Sequence, residues 1–582
     1  MKENKSKDEN ELPTDKTAKT DRRKFLGHLT KAGIAATVGA IGAKPFFDGK
    51  SSEVAAQIAS PSSQVLQTTS AIGPGTARAI ASGEYRINTA IYDFQHTSFA
   101  ARLNNGDEAL YAPRYFANFT KGMPHQNNGE VVASAYQALL AAVNSGDPAD
   151  FDAIPLGANP GSRFTSPQSG FAFDLEGKDA FSFTQPPAPA FASREEAAEI
   201  AENYWMSLLR DVPFNDYAAS AIAVDACADL NQFGADFKGP KVGGLVTPDT
   251  LFCGLTAGDL NGPFLSQFFL EECNFGANVI NQQVRTVLGV GNGGQNYMTN
   301  FSTWLAVQRG VPQGPQAFDP QLRYMRNGRD TGQWVHIDVL FQAYFQALLI
   351  LFGIGTPFDA GNPYIGSPNQ NGFATFGGPH IAALMCEVAS RALKAVWNQK
   401  WLVHRRLRPE VFAERCDRAS RGIINYPVHP DILTSLNSAT RLGKYFNTAN
   451  KLLPMAFPEG SPTHPAYGAG HATVAGACTT VLKAWFDESF VIPNPVVTDS
   501  TGQIKTPYIG APLTIGGELN KIASNVANSR NIAGVHWRSD STQSLKLGEA
   551  VAISILRDQR ASYNEVFNGF SLTKFDGTTI TV

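Results

Sequence analysis

The run from Trp334 to Phe352 is apolar almost all the way round a helical projection and stops at Gly353. A helix of that kind is stable only when other helices surround it, so it predicts a helix in the middle of a bundle. His336 and Asp338 interrupt it too early for a membrane span. Two further segments carry the helical period. Ser193-Arg194-Glu195-Glu196 is a capping-box pattern, followed by Ile200, Ala201, Tyr204, Trp205, Leu208 and Leu209 on one face, which predicts an amphipathic helix. Another helix is expected from His380 to near Leu407, ended by Pro409. Alternating strand patterns are scarce, and the class that follows is mainly α with long loops and few short strands.

At 582 residues the chain needs two cores or one large helical core. Apolar residues at 43% and charged residues at 17% supply a sizeable interior. A net charge of -3 excludes nucleic acid as the natural partner, since phosphate-backbone binding needs clustered excess Lys and Arg. The six cysteines form no C-x-x-C pair, which removes zinc-ribbon and thioredoxin-type readings. They either pair after export or stay as buried thiols.

The chain divides into three expected regions. Residues 1–56 read as a polar n-region and a Tat-type signal: Arg22-Arg23-Lys24-Phe25-Leu26, a mildly apolar stretch from Ala32 to Ala43, and a small-residue cleavage site at Val54-Ala55-Ala56. This predicts a periplasmic or extracellular protein. Residues 57–190 are rich in Gly, Pro, Asn and Ser and read as a loop-rich wrap, and residues 191–582 as a helical core. Gly289-Val290-Gly291-Asn292-Gly293-Gly294 has no βαβ context and reads as a loop.

Three clusters bear chemistry. Lys400-Trp401-Leu402-Val403-His404-Arg405-Arg406-Leu407-Arg408-Pro409 is dense in cations; on one helix Lys400 and Arg408 would lie about 12 Å apart along the axis and about 80° around it, close enough to share a small anion. Taken on its own, the cluster reads rather as a solvated basic helix end stabilised by the helix dipole. In Ser461-Pro462-Thr463-His464-Pro465-Ala466-Tyr467-Gly468-Ala469-Gly470-His471, Pro and Gly forbid a helix until His471, where the apolar stripe Val474, Cys478, Val481, Leu482 and Trp485 starts. The first amides of that helix, with the Gly470 N–H, face the loop as oxyanion donors do. In Ser529-Arg530-Asn531-Ile532-Ala533-Gly534-Val535-His536-Trp537-Arg538-Ser539-Asp540, a helical His536–Asp540 turn would let the carboxylate accept one ring N–H and leave the other nitrogen as a ligand, or would be an ordinary ion pair.

Taken in order, Lys400 with Arg408-Pro409, Gly468-Ala469-Gly470-His471, and Ser529-Arg530 with His536 and Asp540 resemble the three-part signature of vanadium haloperoxidases and type-2 phosphatidic-acid-type acid phosphatases. Seven residues separate Lys400 from Arg408, where the phosphatases and chloroperoxidases usually have six, so the spacing resembles the bromoperoxidase branch. Tyr467, the Ser461–Pro465 lead-in and Asn118–His125 resemble it too. The family loop often reads Pro-Ser-Gly-His; Gly468 and Ala469 depart from it and remove a hydroxyl.

The resemblance implies two four-helix bundles forming one unit, with one vanadate per chain. It assigns His536 to vanadium, and Lys400, Arg408, Ala469, Gly470, His471 and Arg530 to the vanadate oxygens. His471 would be acid or base, and Lys400 a point charge near peroxide. His464 stands where chloroperoxidases tend to carry an aromatic, which favours bromide. The implied partners are hydrogen peroxide, bromide or iodide and small organic acceptors, with no nucleic acid and no membrane, in a homo-oligomer built from dimers. An exported acid phosphatase and a non-catalytic oxyanion-binding protein are the alternatives. Two histidines exceed what plain anion capture needs.

Overall fold

The computed structural model describes residues 75–97, 102–159, 161–446 and 450–582. The Tat-type segment and its cleavage site lie outside them. After α1 (Gly75–Gln95), α2 (Ala133–Ser145) and short helical turns, the chain enters α3 (Arg194–Leu209) and α4 (Ala221–Asn231). Then come α5 (Phe301–Gln308), α6 (Gly328–Ile337), α7 (Gln342–Gly353), α8 (Gly378–Asn398), α9 (Pro409–Ser420) and α10 (Pro430–Asn437). The last helices are α11 (Gly470–Trp485), α12 (Ile515–Ile532) and α13 (Arg538–Ser562). Among the described residues the sheets are four two-stranded antiparallel ribbons. The expected mainly α class stands.

Helices α8, α11, α12 and α13 pack into one four-helix group, and α3, α4, α9 and α10 into another. The first group closes through glycine. A Cβ on Gly476 of α11 would lie 2.1 Å from the Leu545 carbonyl oxygen of α13, and one on Gly548 of α13 would lie 1.9 Å from the Thr473 oxygen of α11. Backbone against backbone at that range admits no side chain, so both helices must carry glycine where they cross. The crossing fixes the N-terminal ends of α11 and α13 beside each other, and the site is built there.

Three helical expectations need correction. The Trp334–Phe352 run is not one helix: α6 ends at Ile337, α7 begins at Gln342, and the two are bent by 100°. Asp338 at the break turns its carboxylate inward to His471 rather than continuing the helix. The His380–Leu407 helix ends at Asn398 and continues as a π-helical turn over Gln399–His404. Arg405 is then left-handed at φ 41, and Pro409 opens α9, where a missing N–H costs nothing, rather than closing the helix before it. The third concerns α3. Ser193 does cap it, its Oγ accepting from the Glu196 N–H at 3.1 Å. The polar face expected in solvent is instead buried. Glu196 and Glu199 hold Arg406, and Glu202 holds Arg538.

No single helix among the described residues is long and apolar enough to cross a membrane. All six cysteines are free thiols, five buried and Cys386 exposed.

Candidate functional site

The cation cluster is buried throughout, so it is not a solvated helix end. Arg405 pairs with Glu108, and Arg406 with Glu196, Glu199 and Asp540. Burial opposes the charge on Arg406, but the three carboxylates outweigh it and raise its pKa. Lys400, Arg408 and Arg530 have no such partner. Lys400 is 0% exposed, and its Nζ donates to the carbonyls of Pro465 at 3.0 Å and Ala466 at 3.3 Å. Arg408 donates to the carbonyls of His464 at 2.7 Å and Val535 at 2.7 Å, and Arg530 to that of Val335 at 2.7 Å. None of the three ion-pairs with a carboxylate among the described residues. Burial pulls each below its ordinary pKa.

The backbone that converges them differs from the sequence expectation. Lys400 sits in the π turn after α8, and Arg408 is the residue capping α9. The pair meets across a left-handed turn at Arg405, not along one helix.

His536 lies just before α13, and Asp540 is in the first turn of that helix, so the pair is not helical as expected. The bond survives by another route: Asp540 Oδ2 takes the Trp537 N–H at 3.2 Å and lies 2.8 Å from His536 Nδ1. Nδ1–H therefore donates to the carboxylate, and Nε2 carries the lone pair, 3.1 Å from Arg408 Nη1. Burial, then Arg408 and Lys400, hold the ring well below the ordinary imidazole pKa and keep it neutral. His471 opens α11 and its Nε2 lies 3.0 Å from Asp338 Oδ1, which assigns that proton and leaves Nδ1 as the exchangeable atom. Burial lowers its pKa against the pull of Asp338. His464 Nδ1 lies 2.9 Å from Arg408 Nη2, and its ring centroid 4.8 Å from that of Trp397.

The loop Pro465–Gly470 enters α11 as predicted, with Ala469 as its cap. The amides of Gly470, His471 and Ala472 precede the first intrahelical bond, Thr473 N–H to the Ala469 carbonyl, and stay available to an anion. The Ala469 N–H is already taken, donating to Ser544 Oγ at 2.8 Å. A Cβ on Gly468 would fall 2.2 Å from that same hydroxyl oxygen. The serine of α13 thus occupies the space that a larger residue at 468 would need.

The family described as the VCPO second helical-bundle domain matches residues 381–565, the span from the first turn of α8 to just past the end of α13. The chain is 35% identical over 601 residues to the vanadium-dependent bromoperoxidase of Corallina pilulifera, covering 86% of this chain and 97% of that protein. To the vanadium-dependent bromoperoxidase of Ascophyllum nodosum it is 33% identical, covering 85% and 92%. The chain belongs to the vanadium-dependent bromoperoxidase family. A homohexameric structure of the second vanadate-dependent bromoperoxidase from Ascophyllum nodosum superposes with a TM-score of 0.80 at 30% identity, covering 94% of this chain and 95% of that one.

The cofactor such bromoperoxidases are named for fits the residues present. Three buried cations without carboxylates are costly unless an anion joins them. The Arg530 Nε is buried with no hydrogen-bond partner among the described residues, a donor still to be used. A neutral imidazole whose Nε2 lone pair faces the Arg408 guanidinium, and no carboxylate, completes the donor set of this bromoperoxidase-family site.

Two residues around it escaped the sequence. Asp338 was hidden in what read as continuous helix; a carboxylate inside an apolar run was the one signal. Trp397 lies one helical turn before Lys400, its ring 5.4 Å from the Lys400 Nζ and 3.1 Å from where a Gly470 Cβ would stand. Nothing in its surroundings in the sequence marked it.

Proposed function

We propose that this chain is a vanadate-dependent haloperoxidase that oxidises bromide or iodide with hydrogen peroxide to hypohalous acid and so halogenates small organic acceptors. The observation that carries the reading is the convergence of Lys400, Arg408 and Arg530, buried and without carboxylates, on two neutral histidines that Asp540 and Asp338 orient.

Bound vanadate would supply a Lewis acid that polarises peroxide toward the halide. His536 would hold it through Nε2, the atom its bond to Asp540 leaves free. Lys400, Arg408 and Arg530 would neutralise the oxygens, with the Gly470 and His471 amides as neutral donors. His471 takes and returns a proton at Nδ1 while Asp338 steadies the charged ring. His464, held beside Arg408 and Trp397, supports bromide rather than chloride as the halide.

The decisive test is bromination with peroxide before and after adding orthovanadate in phosphate-free buffer. Activity that appears with vanadate carries the reading. Hydrolysis of a phosphate monoester without bromination would make the chain a phosphatase instead.

The same reading includes assembly and export. The homohexameric relative and the exposed Ile87 and Ile91 on one face of α1 support a homo-oligomer built from dimers; light scattering of the purified protein tests it. The twin-arginine pattern supports export; N-terminal sequencing of the periplasmic or extracellular fraction should begin near Gln57.

A further inference from the structure

The proposed reaction yields hypobromous acid, which attacks sulfur first and electron-rich rings next, so a protein that makes it is exposed to its own product. Among the described residues the sulfur is put away: all six methionines and five of the six cysteines are buried, and Cys386 is the exposed thiol. Six of the seven tryptophans are buried as well, none more than 8% exposed. The exception is Trp397, which is partly exposed and stands at the site itself.

Three contacts place its ring against the cradle. The Lys400 Nζ stands over the ring 5.4 Å from its centroid, the His464 ring centroid lies 4.8 Å away, and the benzo edge is 3.1 Å from where a Gly470 Cβ would stand. The opposite, pyrrole edge is pinned by the indole N–H, which donates at 3.0 Å to the carbonyl of Thr165, an exposed residue. C2 of the indole adjoins that nitrogen. One end of the ring therefore faces the group of cations and the other, with its most reactive carbons, lies on the solvent side.

We propose that Trp397 is a self-modification site, oxidised at indole C2 by hypobromous acid that has not yet escaped the site, whenever no organic acceptor intercepts it. This rests on the haloperoxidase reading. The indole π electrons take bromine at C3 as the Br–O bond breaks, and the hydroxide released leaves as water with the indole N–H proton. Water then adds across C2 and the nitrogen, bromide departs from C3, and the C2 hydrogen leaves as a proton, giving an oxindole. The net change is HOBr + indole → oxindole + H+ + Br−: the ring gives up two electrons, bromine takes them, and the new oxygen comes from solvent. The oxindole loses the flat conjugated pyrrole that lies against Lys400 and His464, so turnover without an acceptor limits itself.

The test is peptide mass spectrometry of vanadate-loaded protein turning over peroxide and bromide in 18O-water without an acceptor. Free methionine is added to consume acid that reaches bulk solvent. The Trp397 peptide should gain one 18O in step with turnover, while Cys386, the exposed thiol, stays free of bromide-dependent oxidation. Neither peroxide alone nor bromide alone should label Trp397. Trp397→Phe, whose ring this acid leaves alone, should keep its own starting rate over a number of turnovers that costs wild type its rate. Protection of Trp397 by methionine would make the change an ordinary bulk oxidation and overturn the proposal. Unlabelled oxygen at Trp397, which would come from peroxide, would overturn it too, and so would equal loss of rate in the two proteins. Bromination of a dye in a parallel sample separates the two readings. A brominating protein with Trp397 intact overturns this inference alone, and a protein that brominates no dye overturns the functional reading and this inference with it.

Discussion

At the scale of single residues, what distinguishes the site is charge left without a partner. Arg406 and Arg408 are neighbours on one loop, equally buried, yet one meets three carboxylates and the other none. Removing Lys400 or Arg530 as alanine should therefore weaken orthovanadate binding by about 10- to 100-fold, the equivalent of ~1.5–3 kcal/mol for a charge-assisted contact; titration of cofactor-free protein measures it. His536→Ala should abolish vanadium retention, and one metal atom per chain in that variant would remove His536 from the ligand role. Gly468 offers a more particular prediction. Gly468→Ala must displace the Ser544 hydroxyl and break its bond to the Ala469 N–H, which loosens the entry to α11. Weakened vanadate binding in Gly468→Ala, restored in part by adding Ser544→Gly, is the expected pattern. No change in either protein would mean that the loop yields elsewhere.

Among elements, the crossing of α11 and α13 sets the precision of everything above it. Gly548→Ala would drive a methyl into the Thr473 carbonyl at 1.9 Å, and a backbone atom cannot turn aside. The cost should be at least the ~1–3 kcal/mol of an overpacked core, read as a lower thermal midpoint, with vanadate affinity falling because His471 and His536 part. A surface glycine such as Gly353, where a Cβ meets nothing within 4 Å, should be silent. The same comparison explains how far the sequence could be read. The start of α11 was legible because Pro465, Gly468 and Gly470 forbid helix and the apolar stripe follows at once. The His536–Asp540 bond was legible as a pairing although its helical basis was wrong, since a capping carboxylate reaches the same ring from a different backbone. The ends of α6 and α8 were not legible. Both runs continue the helical period, and each is broken by a long-range demand: Asp338 is held by His471, and the π turn carries Lys400 to the carbonyls of residues 465 and 466. Period records local preference only.

Over the whole molecule, buried neutral histidines make stability depend on acid. His125 lies between Thr120 Oγ1 at 3.0 Å and the Met123 carbonyl at 2.8 Å, and burial lowers its pKa to about 3. A depressed folded value means that the unfolded chain takes the proton first, so this contribution is whole above the ordinary 6.5 and is lost as pH falls toward 3. Asp259 and Asp330, raised by burial to about 6, work in the opposite sense, and comparison with a variant cancels them. Between pH 6 and 5 the wild type should lose about 1.2 kcal/mol more than His125→Gln in urea unfolding; equal losses would show that the ring is charged in the fold.

The three unaccompanied cations bear on the molecule as a whole in another way. The chain as a whole is negative, at -3, yet this interior is positive. An occupant with one negative charge leaves two cations uncompensated in a poorly polarisable medium, and one with two leaves a single cation, so valence should be sorted before shape. Sulfate and perchlorate separate the two, being tetrahedral oxyanions of similar form and different charge. Sulfate should slow reconstitution with orthovanadate and raise the thermal midpoint of the cofactor-free protein, while perchlorate at equal ionic strength should do neither. A halide, as a monovalent ion, is then a poor tenant of this interior, and it can approach the oxidised oxygen without competing for the cradle that holds it.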